Sequence, residues 1–217
     1  MTDRNNGVMR PESNLDEIID MLWNRPNNSE WSPKIKVIPG ALFRQWMSIE
    51  DIEVLGFVYS TLGNHRFQLD PGLSLDEYLR FVRHYYERCF IENPDGEWLD
   101  SRYSAGWDLV NVLASHWENP DVPRSVMEDW KRWLGEIYKR SSEEVRICII
   151  NATLEHLLEK GVFRKFFSDW IQDPVLRKAY EEALLWYEGG GRTELGKSPD
   201  VQPLVRSQLE KSRFRRR

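Results

Sequence analysis

A chain of 217 residues with 41% apolar and 12% aromatic side chains can bury a large core, as expected for one globular domain. Thirty per cent of its residues are charged, and no apolar run comes near the ~18–20 residues that a bilayer span needs, so a membrane-crossing helix is excluded. The opening MTDRNNGVMRPESN has neither the basic nor the apolar stretch of a cleaved secretion signal, which predicts a cytoplasmic protein.

Residues 1–13 are polar and lack apolar periodicity, and are expected to be disordered. From Asn14 to Trp23 the spacing predicts a first helix, with Leu15, Ile18, Ile19 and Leu22 on one face. Residues 24–39, rich in Asn, Ser and Pro, read as a long connection whose KIKVI segment is a strand candidate without a partner. Ser48 is expected to open a helix with the stripe Ile52, Leu55, Val58, Tyr59 and Leu62, stopped by Gly63 and Asn64. Ser74 and Glu77 form a capping box ahead of Leu75, Tyr78, Leu79, Val82, Tyr86 and Cys89, and the run Asn93 to Gly96 makes a turn.

Beyond Ser101 the expected stripe is Tyr103, Trp107, Val110, Ala114 and Trp117, ended by Asn119 and Pro120. Pro123 suits the first turn of the next helix, whose inward face is Val126, Trp130, Trp133, Leu134 and Ile137. Ser141 and Glu144 are read as a second capping box, opening a helix over 142–160 that is apolar almost all round and therefore central. Gly161 closes it. A short helix with Phe163, Phe166, Phe167 and Trp170 follows, and then Asp173 with Pro174 caps a helix to Tyr187. The fold class is thus all-α: one compact multi-helix bundle over 14–188, then a glycine-rich flexible linker over 189–200 and an amphipathic or disordered basic tail over 201–217. Residues 142–155 laid on 173–186 align Val145 with Leu176, Cys148 with Ala179 and Ala152 with Ala183, which suggests stacked helical hairpins in a HEAT-like style.

Charge is segregated. Residues 211–217 hold five of the thirty Lys and Arg, so residues 1–210 carry 25 basic against 35 acidic groups. An acidic body repels nucleic-acid phosphates and favours basic partners. Arg213, Arg215, Arg216 and Arg217 in the tail are candidates for contact with nucleic acid or an acidic protein surface, against the alternative of a solvated terminus.

The segment GRTELGKS spells the phosphate-loop pattern, in which Gly191 and Gly196 expose backbone N–H groups, Lys197 reaches the outer phosphates and Ser198 holds magnesium. Such a loop needs a strand before it and a helix after it, whereas here a helix precedes it and Pro199 follows at once, so it reads as linker, with nucleotide binding as the alternative. His84 with Glu87 is half of a metal pattern, and His156 beside Glu155 lies eight residues beyond Cys148. For these two histidines, as for His65 and His116, an imidazole that is part of the fold or the surface is the expectation, with no metal and no cofactor. Cys89 and Cys148 are too few for a disulfide framework and read as reduced core thiols. The tryptophans from Trp98 to Trp186 mostly fall at core phases; Trp46 is expected in the core, and Trp31 is left open.

The stretch NATLEHLLEKGVFRKFFSDWIQDPVLRKAYEEALLWYEG, with Asn151, Leu154, Glu155, Asp173 and Pro174, resembles segments of uncharacterised bacterial all-helical domains found among immunity-type proteins. The resemblance implies a small cytoplasmic binder of a protein partner, without catalytic residues, and an acidic body suits a basic toxin. The functional expectation is a non-enzymatic helical interaction or regulatory protein.

Overall fold

The computed structural model describes residues 15–23 and 35–187. It is mostly helical, as expected, with one addition: a two-stranded parallel sheet. Among the described residues no helix is long and apolar enough to cross a membrane. The residues group into two compact units, the first taking those up to Arg88 together with Asp95–Leu99, the second taking Cys89–Pro94 and those from Asp100 onward.

In the first unit, α1 (Leu15–Trp23) buries Ile18 and Leu22, and its last carbonyls are met by the Lys36 ammonium, which donates to Met21. The KIKVI segment does form a strand, β1 (Lys36–Pro39), and its partner is β2 (Phe67–Asp70), with Ile38 opposite Leu69. Two further differences from the sequence reading fall nearby. Gly40–Trp46 forms a short helix, α2, in a stretch between the expected connection and Ser48 to which the sequence assigns no element. The helix expected from Ser48 begins later: α3 (Ile52–Leu62) is capped by Asp51, whose carboxylate accepts from the Glu53 and Val54 N–H groups, while the Ser48 hydroxyl donates back to the Gln45 carbonyl. Asp51 is the better cap because a carboxylate at a helix N-terminus gains both hydrogen bonds and the dipole.

Helix α4 (Leu75–Glu92) starts in the expected capping box. The Glu77 N–H donates to the Ser74 hydroxyl at 3.2 Å, and the Ser74 N–H donates to the Glu77 carboxylate at 2.8 Å. Arg44 of α2 adds a bidentate pair to that carboxylate at 2.6 and 3.0 Å. The Arg44 guanidinium, then the Ser74 backbone and hydroxyl, hold Glu77 down at about 2, below its ordinary carboxyl range. Because the folded value is depressed, the stabilisation is complete above the unfolded value of roughly 4.3 and is lost as pH falls through about 2. Glu77→Gln should therefore be less stable than the parent at neutral pH, and the gap between their urea midpoints should close across that acid window.

The second unit is built from successive helices joined by short turns. It opens as α5 (Arg102–Glu118), capped by the Ser101 hydroxyl, and continues through α6 (Arg124–Arg140). Then come α7 (Glu143–Cys148), a π-helical stretch (Ile149–Leu154) and α8 (Glu155–Leu158), which together form the central helix expected over 142–160. Val145, Cys148, Ile149, Ala152, Leu154, Leu157 and Leu158 in it are all buried. The capping box expected at its start is not formed: Ser142 holds the cap position without a side-chain bond, and the Glu144 carboxylate instead pairs with Arg102 at 3.3 Å. Helix α9 (Gly161–Phe167), a 3₁₀ turn (Ser168–Gln172) and α10 (Pro174–Tyr187) complete the unit. Asp173 caps α10 as expected, accepting from the Val175 and Leu176 N–H groups. Leu176, Ala179 and Ala183 of α10 are buried like Val145, Cys148 and Ala152, which the 31-residue offset aligns with them.

Arginines brace the helix ends of this unit. Arg102 donates to the carbonyls of Phe90 and Ile91, Arg146 to those of Tyr138 and Lys139, and Arg164 to those of Leu158 and Glu159. Each supplies a cation to the carbonyls that a helix C-terminus leaves without partners.

Candidate functional site

The π-helical stretch is the local irregularity in an otherwise regular core. The Glu155 N–H donates to the Ile150 carbonyl, five residues back, where an α-helix would use the fourth. Across the interface the packing is close. Gly106 of α5 brings its backbone so close that a Cβ there would lie 2.6 Å from Ala152 Cβ, and the buried Thr153 hydroxyl donates to the Gly106 carbonyl at 3.1 Å.

This close approach sets which face of α5 is inward. Ala105, Gly106, Leu109 and Leu113 are buried, not the stripe of Tyr103, Trp107, Val110, Ala114 and Trp117 that the sequence suggested. Trp107, expected in the core, is therefore 37% exposed. The correction has a plain physical origin: small residues allow two backbones to approach, and the bulky residue beside them is turned outward.

Trp107 is met by His156 of α8, with ring centroids 3.7 Å apart and planes within 25°. The His156 Nδ1 lies 3.3 Å from the Glu159 carboxylate. Burial, with Glu159 adding to it and His156 opposing, pushes the Glu155 carboxyl above its ordinary range. An exposed indole, a stacked imidazole and the Glu159 carboxylate are thus joined by contacts, and Glu155 directly precedes the imidazole in the chain.

His156 does not join Cys148. The Cys148 thiol is fully buried and donates to the Arg102 carbonyl at 3.3 Å, and burial pushes it well up from its usual value. A thiol so placed is a poor nucleophile. Iodoacetamide at about pH 8 should leave Cys148 unmodified in the folded protein and label it after denaturation, as read by mass spectrometry of the peptides.

Other sequence candidates take structural roles. The His116 Nδ1 accepts from the Trp130 indole N–H at 3.2 Å. His65 and His84 are exposed, and among the described residues no group of three or more His, Cys, Asp or Glu is placed to hold a metal ion. Trp46 is buried, as expected. Gly191, Gly196, Lys197, Ser198, Arg213, Arg215, Arg216 and Arg217 lie outside the described residues, as do Trp31, the 1–13 segment, the linker and the tail.

Each unit also has a concavity among its described residues. One in the second unit, of about 680 Å³, runs over Gly135, Trp170 and Leu176 between charged walls. Its charges answer each other: Lys131 pairs with Glu128 and Asp169, each at 2.9 Å, and Lys139 pairs with Asp173. The other, in the first unit, is an apolar notch of about 400 Å³ among Leu62, Leu69, Leu73, Leu75 and Tyr78. Compared with family models, curated proteins and solved structures, the chain has no match among them.

Proposed function

We propose that this chain is a helical interaction protein, a cytoplasmic binder that works through its surface and acts on a protein partner without catalysing a reaction. One observation carries the reading: groups with chemical potential hold the fold, while large apolar side chains stand at the surface. Cys148, Thr153 and His116 are each bonded to a backbone carbonyl or an indole within the core of the second unit. Trp107, Ile171, Val175 and Leu185 of the same unit are exposed, as are Val37 and Leu75 of the first. Exposed apolar side chains of this size favour association with another surface.

The acidic excess of residues 1–210 favours a basic partner, in keeping with the immunity-type proteins that the 151–189 segment resembles. Affinity capture of the full chain from its native host should recover one protein in stoichiometric amount, and size-exclusion chromatography with light scattering should give the mass of the complex. Repeated capture that yields no stoichiometric protein overturns the reading.

A further inference from the structure

Resting on that reading, we propose that the Trp107–His156 face seats an arginine side chain presented by the basic protein partner. Four observations converge on it. Trp107 is the tryptophan with the largest exposed fraction among those whose side chains are described, and one side of its ring is already packed by His156 at 3.7 Å. An indole fixed in this way has lost its rotamer freedom on folding, so a ligand meets a platform that costs little further ordering.

Glu155 opens α8 and Glu159, which His156 meets at 3.3 Å, follows its last residue, so that like charges repel across one turn. Glu155 is half-buried, so its negative charge is poorly solvated and gains from a cation brought beside it. Two of the chain's cations that follow α8 are directed elsewhere: Lys160 reaches Glu118 at 3.5 Å, and Arg164 of α9 donates to the Leu158 and Glu159 carbonyls at 2.7 and 3.0 Å.

Arginine fits this set better than lysine. Its planar guanidinium stacks on an indole while its N–H fork meets carboxylate oxygens, whereas an ammonium is a compact, strongly hydrated point charge. The fold uses the same pairing internally, with the Arg124 guanidinium 3.2 Å from the Trp117 ring centre.

The test uses the full chain and a nona-arginine peptide as probe, with nona-lysine for comparison, followed by isothermal titration calorimetry at low salt. Trp107→Ala and the double variant Glu155→Gln, Glu159→Gln should each weaken nona-arginine binding about fivefold to thirtyfold. Asp70→Asn with Asp76→Asn, which removes the same charge from the first unit, should change it less than about twofold. Trp107→Phe keeps an aromatic face and should retain part of the affinity, while far-UV circular dichroism and urea midpoints verify that each variant folds. Nona-lysine should bind more weakly than nona-arginine to the parent. Equal losses in the Asp70, Asp76 control, or unchanged binding in Trp107→Ala, overturns the proposal.

A variant with Arg213, Arg215, Arg216 and Arg217 all replaced by alanine separates the other occupant. Tighter probe binding there would assign the face to the chain's own tail and overturn the assignment to a partner. A partner captured equally by the parent and by Trp107→Ala also overturns this seat, while leaving the interaction reading standing. Absence of any partner in the parent capture counts against that reading instead.

Discussion

Replacing Trp130 by alanine is expected to cost about 3–5 kcal/mol, the range for deleting a fully buried large aromatic. Trp130 has no exposed surface, its ring meets Trp133 edge-on with centroids 5.2 Å apart, and its indole N–H donates to His116 Nδ1 at 3.2 Å. Alanine therefore leaves both a cavity and an imidazole nitrogen without its donor. Trp130→Phe separates the two losses, since the phenyl ring keeps most of the volume and none of the hydrogen bond. It should fall between the parent and Trp130→Ala in urea midpoint, with an unchanged denaturant slope in all three. A Trp130→Ala variant as stable as the parent would mean that the inward face of α6 is not as described.

That face was readable in advance. Val126, Trp130, Leu134 and Ile137 recur at helical spacing in a segment whose other positions are charged, and all four are buried. Trp133, assigned to the same stripe, is only half-buried, because it lies at the stripe's edge. Helix starts were readable where a side chain had no better partner. Ser74 with Glu77 and Asp173 with Pro174 behave as the local pattern says, whereas Glu144 is drawn away by Arg102, a residue 42 positions distant.

The strand pair was hidden for another reason. Each strand has four residues, too few for alternation to stand out, and the partner of Lys36–Pro39 lies across two intervening helices in Phe67–Asp70. Gly40 marks the place. A Cβ there would meet the Pro71 carbonyl oxygen at 2.2 Å, so the turn out of β1 tolerates only glycine's missing side chain.

The candidate site was the least readable part. His156 was visible as one of four histidines, but its partner comes from another helix, and that helix was turned the wrong way by weighing bulk over closeness. Ala105 and Gly106 carry little hydrophobic signal, yet they are the residues that let α5 press against the π-helical stretch. A glycine within an otherwise good helical sequence, at a cost of about 1 kcal/mol relative to alanine, was the clue to that contact.

Gly106→Ala puts this account to a direct test, because propensity and packing predict opposite signs. On helix propensity alone, alanine should stabilise α5 by about 1 kcal/mol. The added methyl, however, would sit 2.6 Å from Ala152 Cβ and 3.1 Å from Thr153 Oγ1, and Cβ atoms fixed to two backbones cannot rotate away. The helices must separate, which lengthens the Thr153–Gly106 hydrogen bond and opens the packing around Ala152. Overpacking of this kind costs about 1–3 kcal/mol, and less the propensity gain the net expectation is destabilisation of up to about 2 kcal/mol. Ala152→Gly in the same chain removes the opposing methyl and should recover most of the loss, although by itself it destabilises by about 0.5–1 kcal/mol. A double-mutant cycle on urea midpoints should then give a coupling of about 1–2 kcal/mol that favours the pair. If Gly106→Ala proves stabilising and uncoupled from Ala152, the close contact between α5 and the π-helical stretch is not there, and with it goes the reason for Trp107 to face outward.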